Sequence, residues 1–333
     1  ASCHSTRMLR IVLLVMLISS LSGCYYLQAA KGQLDLTRKR EPIADILQDE
    51  TTPPELAARL RLVQEARQFS VDELGLPDND SYQSYADIER DYVVWNVFAA
   101  PEFSFQPETW CFPIAGCVGY RGYFSEEAAE READRLAAKG FDVATGGVAA
   151  YSTLGKLRDP VLSSMMNWDD VQLVAVLFHE LAHQMLYVKG DSGFNESFAT
   201  AVEEFGVHRW LEARGLNGDI ERYESSRQLR TDLMALVATA RADLEPVYSS
   251  ELPDEAKRQQ KQARLDALSG DIVNLLENAG RDPGSWSGSN LNNARLASMA
   301  LYEGRLPEFR ALFEQCKQRI ECFYAEARAL AGR

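Results

Sequence analysis

The chain has little positive charge, few histidines and no hydrophobic run long enough to span a membrane. Its 333 residues contain 35 Lys and Arg against 49 Asp and Glu, a formal net charge of −14. Nucleic-acid-binding domains carry a basic surface, so a generic nucleic-acid binder is excluded. The same lack of positive charge argues against adhesion to an anionic bilayer through charge. The sequence contains no internal repeat or low-complexity tract.

The N-terminal residues have the pattern of a bacterial lipoprotein signal. A short basic region at 8–10 precedes an apolar run at 11–21, which is shorter than the ~20 residues of a spanning helix. Small residues and Cys24 follow, as at a cleavage site. We expect residues 1–23 to be removed, with 1–7 upstream of the true start at Met8, and Cys24 to carry the lipid. An uncleaved membrane anchor is the alternative.

The cysteines and the residue after Cys24 indicate the compartment. Tyr25 in place of aspartate favours the outer membrane under the sorting rule of enteric bacteria. Cys3 lies upstream of the expected start, and the other four cysteines form two close pairs, Cys111/Cys117 and Cys316/Cys322. Two local disulfides are typical of an oxidising compartment, and the second requires a helix break near 317–321. A zinc site of four cysteines is the alternative. We therefore expect a lipid-anchored envelope protein that faces the periplasm.

The order of the expected elements indicates a mostly helical α+β fold. Strands are expected at 93–98, 120–124 and 141–151, with a helix at 125–139 among them. Further helices are expected at 169–188, 195–214, 218–243, 251–279 and, with a break, 293–330. We expect one mature domain, 24–333, with a small sheet region at about 90–160, two helices at 169–214 and a helical C-terminal lobe at 218–330.

Two of the four histidines lie in the motif His179-Glu180-Leu181-Ala182-His183. Random placement of these residue types predicts only about 0.004 such matches in a chain of this length. On a helix, imidazoles four residues apart face the same side and can bind one zinc ion, with Glu180 beside them as general base. The segment is apolar nearly all round, so unsatisfied imidazoles would cost several kcal/mol. A pair of hydrogen-bonded core histidines is the alternative.

This motif, together with Asn195-Glu196-Ser197-Phe198-Ala199, resembles the gluzincins, zinc peptidases whose third ligand is a glutamate on the next helix. The mature chain also resembles a bacterial lipoprotein family named as aminopeptidases. The stretches that carry this second resemblance are Tyr25-Tyr26-Leu27-Gln28, Trp110-Cys111-Phe112-Pro113, Cys117, Tyr120-Arg121-Gly122-Tyr123-Phe124, Ala150-Tyr151-Ser152-Thr153-Leu154-Gly155 and Asn292-Asn293-Ala294. The resemblance implies a gluzincin-like fold, one Zn²⁺ per chain and peptide substrates.

Glu196 is the expected third zinc ligand, because a catalytic zinc site combines three protein ligands with an open position. It follows His183 by thirteen residues, whereas thermolysin-like and aminopeptidase N-like enzymes have about twenty there. The loop at 190–193 must therefore turn more tightly. The alternative ligands are Asp191, Glu203 and Glu204.

Residues beyond Glu196 on the same helix could support the ligands. Thr200 and Glu203 follow it by one and two turns, so either could hold a zinc-bound imidazole by its second nitrogen. Plain helix surface is the alternative for both. His208 is expected to be structural.

The expected catalytic step places Glu180 as the acceptor of the proton from the attacking water. By resemblance to gluzincins with a tyrosine or histidine donor in the C-terminal lobe, Tyr302 is expected to stabilise the oxyanion; a core or surface role is the alternative. By resemblance to gluzincins of the aminopeptidase N type, the strand at 146–151 is expected to pair with the substrate backbone. Its residues in that role are Gly146, Gly147, Val148, Ala149 and Tyr151; a glycine bulge is the alternative.

These expectations describe a lipid-anchored zinc metallopeptidase, and the resemblance implies an aminopeptidase. An aminopeptidase binds a free amine through a carboxylate, for which Glu203, Glu204 and Asp159 are candidates. One alternative is an endopeptidase of the envelope. Another is a non-catalytic assembly or chaperone protein that binds chains in the same cleft, with a structural zinc. An intact Glu180 favours an enzyme, because a binding module needs no general base.

Overall fold

The computed structural model describes residues 25–112, 115–150, 152–287 and 291–332, without the side chains of 285, 287 and 301–303. Helices dominate and the sheets are small, so the predicted α+β class is confirmed. The helices are α1 (25–38), α2 (Ile43–Gln48), α3 (Pro54–Asp72), α4 (Glu126–Ala137), α5 (Asp170–Met185), α6 (Ser192–Ala213), α7 (Asn217–Ser249), α8 (Asp254–Asn278), α9 (Asn293–Glu303), α10 (Leu306–Gln315) and α11 (Ile320–Ala331). The strands are β1 (Arg40–Pro42), β2 (Ser84–Ala86), β3 (Val94–Pro101), β4 (Trp110–Phe112), β5 (Gly116–Val118), β6 (Arg121–Tyr123), β7 (Phe141–Val148) and β8 (Val161–Leu162).

The central sheet has the strand order β6-β3-β7 and is antiparallel throughout. Successive residues of a strand alternate between the two faces of a sheet. One face of β3, with Val97 and Ala99, packs on α4. On the other face, Phe98 and Ala100 pack against Ala294 of α9. Both faces are therefore covered towards the Ala100 end.

Two further sheets are smaller. Strand β2 pairs antiparallel with β1 and parallel with β8, and β4 and β5 form a hairpin. β1 and β2 precede the sheet region expected at 90–160, and the sequence pattern does not predict them. Strands of three residues show too little alternation between apolar and polar positions to be recognised.

The main core lies between α3, α5 and α6. Helix α5 buries Leu173, Leu177 and Phe178 completely or nearly so, each contributing about 1.5–3 kcal/mol. Gly206 allows the close approach of α6, since a Cβ there would lie 2.7 Å from side-chain carbons of both Leu74 and Phe178. Packing beside Phe178 fixes the position of its neighbour His179.

Helices α7 and α8 form a hairpin with a separate small core. Val237 and Leu244 of α7 pack against Leu268 and Ile272 of α8. The sequence predicts an end at 243, but α7 continues through Pro246 to Ser249. The proline lies in the last turn, where a lost backbone hydrogen bond affects little of the helix.

Both predicted cysteine pairs are bonded. Cys111–Cys117 links β4 to β5, and Cys316–Cys322 links α10 to α11. The helix is broken between the second pair, as expected, where Lys317 and Gln318 have left-handed φ angles of 53° and 57°. Within the described ranges, none of the helices is long and apolar enough to cross a membrane.

Candidate metal centre

Helix α5 carries both histidines of the motif and begins at a capping box. Asp169 accepts a hydrogen bond from the Gln172 backbone N–H at 2.8 Å, and the Gln172 side chain accepts one from the Asp169 N–H. Helical spacing places the His179 and His183 rings one turn apart, with centroids separated by 4.9 Å. His183 is only 8% exposed, so an unpaired charge there would be costly.

Side-chain hydrogen bonds close the turn between α5 and α6. The Asn195 side chain accepts from the Val188 N–H at 2.7 Å and donates to the Val188 carbonyl at 2.8 Å. Gly190 has a φ of 84°, which favours glycine. Asp191 caps α6 by accepting from the Phe194 N–H at 2.9 Å. This turn accommodates the short spacing and brings Glu196 to the histidines.

Three donor atoms converge between α5 and α6. Glu196 Oε2 lies 3.3 Å from His179 Nε2 and 3.7 Å from His183 Nε2. The three ligand atoms lie within 4.8 Å of one another. Tetrahedral zinc with bonds of about 2.0–2.1 Å separates its ligand atoms by about 3.3 Å. The donor set and its spacing therefore fit a zinc ion with two imidazoles and one carboxylate.

The charges of these groups are strongly coupled. Burial lowers the pKa of His179, but hydrogen bonds and charge from Glu196 and Glu203 outweigh it and raise the pKa to about 10. For Glu196, burial raises the pKa, whereas the charge of His183 and the bonds to both histidines lower it well below its usual range. The buried carboxylates thus favour a positive charge between the two helices, which a divalent cation would supply in place of the proton.

Glu203, rather than Thr200, contacts a histidine of the motif. Its Oε2 lies 3.1 Å from His179 Nδ1, and Tyr223 on α7 donates a hydrogen bond to its Oε1 at 3.3 Å. Thr200 is buried, and within the described residues it makes no hydrogen bond to either histidine. The sequence does not predict Tyr223, because no motif spacing connects α7 to the histidines.

Glu180 faces a cleft beside the donors. The cleft has a volume of about 730 Å³, and Glu180, His183 and Glu196 all line it. Burial is the main cause that raises the pKa of Glu180 above its usual value. Tyr187, just beyond the end of α5, also lines this cleft and donates to the Ala115 carbonyl at 3.2 Å.

The strand expected to bind substrate is β7, which lies at an edge of the central sheet within the described residues. Val148 lines the cleft, and a Cβ at Gly146 would meet nothing within 4 Å. At Gly147, however, the ring of Tyr92 occupies the place of a Cβ. The Ala149 carbonyl already accepts a hydrogen bond from Ser164 at 2.6 Å. On the side-chain faces of the strand, open space therefore lies beside Gly146 and Val148, whereas Tyr92 fills it at Gly147.

Several candidate residues lie outside the described structure. Cys24 and Tyr151 are not described, and Tyr302 lies on α9 with its side chain outside the description. Tyr25 and Tyr26, at the described start of α1, line the same cleft as Glu180. The sequence does not predict this position, and the family resemblance of the Tyr25-Tyr26 motif was the only feature that pointed to these residues.

The remaining alternatives have other partners. Glu204 is paired with Arg227 and with Arg310, the latter at 2.7 Å. Asp159 accepts bonds from Ser152 and from the Thr153 backbone and hydroxyl. The side chain of His208 is 42% exposed and lies near Glu212 and Glu224. Glu204 and Asp159 are thus already paired with other residues of the fold.

Comparison with known protein families gives one match. The model of a family described as "Putative aminopeptidase" covers residues 24–333. The chain belongs to this family. Membership in this family indicates peptidase activity. The matched residues include the sheets, the α5–α6 pair and the C-terminal helices. Searches of curated proteins and of solved structures find no match.

Proposed function

We propose that the chain is a zinc-dependent peptidase with one zinc ion per chain, bound by His179, His183 and Glu196. The observation that supports this most directly is the spacing of 3.3 and 3.7 Å between the carboxylate oxygen and the two imidazole nitrogens. Glu203 at His179 Nδ1 adds the carboxylate–histidine contact that orients zinc ligands in proteins. The family membership independently indicates hydrolysis of peptides.

Glu180 is the proposed general base. A bound zinc ion would polarise the substrate carbonyl and lower the pKa of a water molecule. Glu180 lines the cleft beside the donors, and burial favours its protonated form. A carboxylate whose pKa is raised is a stronger base, so it can accept a proton from water and return it to the leaving amine. Tyr302 stays the proposed donor to the oxyanion.

The proposed location is the periplasmic side of the bacterial outer membrane, with a lipid on Cys24 as anchor. Support comes from the signal pattern in the sequence and from the two bonded cysteine pairs. Disulfides persist in oxidising compartments and are rare in the bacterial cytosol. Radioactive lipid labelling of the wild-type protein and of Cys24→Ser would test the anchor.

The decisive experiment is digestion of a mixed peptide library by the purified, zinc-loaded protein. We expect cleavage that stops on chelation and returns with zinc. Glu180→Gln should keep zinc while hydrolysis falls by about 10²–10⁴, because the amide cannot accept the proton. Glu212→Gln, an exposed change on α6, is the control and should retain full activity. Undiminished hydrolysis by Glu180→Gln would contradict the mechanism, and an inert wild-type protein would contradict the function.

A further inference from the structure

We infer that the cleft holds an internal, apolar stretch of a polypeptide, so that the enzyme cuts within chains rather than removing N-terminal residues. The inference rests on the peptidase function proposed above and specifies its substrate. Three features of the described structure support it: the charges in the cleft, its extent, and the residues of its wall.

Among the described residues that line the cleft, no carboxylate is free to bind the amine of a peptide N-terminus. A free N-terminus is cationic near neutral pH, and an enzyme that requires it must bury an unshared acid against it. Among the described side chains that line the cleft, the acids are Glu180 and Glu196, both at the metal centre. The other charged side chain of the lining is Lys156, which repels an ammonium group.

The acids just outside the cleft are already shared. Asp159 is 2% exposed and accepts bonds from Ser152 and Thr153. Glu203 bonds His179 and Tyr223, as described above. Each oxygen of both carboxylates already has a hydrogen-bond partner, so neither acid is an unshared group for an amine.

The cleft also adjoins further open space along the central sheet. A neighbouring cavity of about 550 Å³ shares Asn96 and Val148 with it. Val94 and Asn96 lie on the same face of β3 as Phe98, which lines the second cavity. A chain bound along this face therefore has space on both sides of Val148, whereas a terminal residue requires a closed end.

The cleft wall is largely aromatic and aliphatic. Tyr26, on the first described turn of α1, is 48% exposed and lines the cleft. The other lining residues of this kind include Tyr25, Phe112, Val118, Tyr120 and Phe124. Such surfaces bind apolar side chains by excluding water. In the second cavity Leu229, Leu233 and Met299 continue the same character.

A matched pair of peptides tests the position of cleavage. One peptide with a central phenylalanine is prepared with a free and with an acetylated N-terminus, and the zinc-loaded full chain digests both. We expect cleavage at the same internal bond of both peptides, with rates equal within about twofold, since acetylation removes only a remote charge. Mass spectrometry of the products identifies the bond.

The outcomes separate the two proposals. If the free peptide loses residues from its N-terminus and the acetylated one is not cut, the inference is overturned while the peptidase function stands. A terminal preference that disappears in Glu303→Gln would also overturn it and assign the amine to that carboxylate, the one acid in 25–332 whose side chain is not described. If neither peptide is cut, the peptidase function itself fails.

Tyr26→Ala and Leu27→Ala test the apolar wall. Leu27 is the next residue on α1 and is 70% exposed, but it does not line the cleft. Tyr26→Ala should lower kcat/KM for the phenylalanine peptide by about fivefold relative to its alanine counterpart, because apolar contact area is lost. Leu27→Ala should change neither value. A fall in kcat/KM of Tyr26→Ala that is equal for the phenylalanine and alanine peptides, or that is no larger than the fall in Leu27→Ala, would contradict an apolar substrate site.

Discussion

The two sides of helix α6 bury glutamates with partners of different kinds. On the metal side, Glu196 and Glu203 contact imidazoles of α5. On the far side, Glu204 pairs with the guanidinium groups of Arg227 and Arg310. An imidazole can lose its proton and become a metal ligand, whereas a guanidinium stays charged and only donates. The partner therefore decides whether a buried carboxylate is available to a metal ion.

The same comparison explains why adjacent residues have different roles. Glu203 and Glu204 are neighbours in sequence, yet helical geometry turns their side chains about 100° apart. Glu203 reaches His179 and Tyr223, and Glu204 reaches the arginines of α7 and α10. One acid contacts an imidazole proposed to bind zinc, and the other pairs with arginines of the C-terminal helices that pack on α6.

The largest expected effect is on the metal side. Glu196→Ala leaves two imidazoles as ligands, so zinc affinity should fall by at least about a thousandfold, beyond the 10–100-fold that loss of an orienting partner costs. Calorimetric zinc titration measures this. Glu212→Ala, an exposed change on the same helix, serves as control. Unchanged affinity in Glu196→Ala would refute it as ligand and return attention to Asp191, Glu203 or Glu204.

On the far side, removal of an acid should lower folding stability and leave zinc affinity unchanged. Glu204→Ala leaves Arg227 without its partner in a largely buried position, and unpaired buried charges cost about 3–5 kcal/mol. Because the Arg310 side chain is 36% exposed, we expect the free energy of unfolding, measured in urea, to fall by about 2–4 kcal/mol. Glu65→Ala breaks an exposed pair with Arg214 and should cost under about 1 kcal/mol. Similar losses in both would show that burial does not distinguish the pairs.

Glu203→Gln should weaken zinc binding by about 10–100-fold, because an amide orients the His179 imidazole less strongly than a carboxylate. Glu204→Gln is the matched control on the adjacent residue, and its zinc affinity should equal that of the wild type. The two titrations compare the sides of α6 directly. Equal effects of the two changes would mean that Glu203 acts on the metal only through the general stability of the helix.

The smallest expected effect is that of Tyr223→Phe. The change removes the hydroxyl that donates to the Glu203 carboxylate at 3.3 Å, which is longer than the distance of about 2.5–3.0 Å of a strong O–H···O bond. Zinc affinity should therefore fall only a few-fold, less than in Glu203→Gln. Zinc titration of the single and double variants measures the coupling. A fall larger than that in Glu203→Gln would indicate that Tyr223 acts independently of the carboxylate.

Much of the fold is predictable from the sequence because its elements are long and locally determined. The predicted helices at 169–188 and 195–214 correspond to α5 and α6, and the capping residues Asp169 and Asp191 begin both. The short strands β1 and β2 are not predicted, since three residues carry little periodicity. The end of α7 is misplaced because Pro246 is tolerated in the last turn.

For the candidate site, the sequence alone determined the chemistry of the donors: two imidazoles four residues apart, a glutamate between them and a carboxylate on the next helix. Spacing within one helix decides which side chains share a face, so this part is local. Only the tertiary structure decided that Glu203 contacts His179, that Tyr223 contacts Glu203 and that Tyr26 lines the cleft. These contacts join different elements of the fold, and the contact between Glu203 and His179 depends on how closely α6 packs on α5 at Gly206.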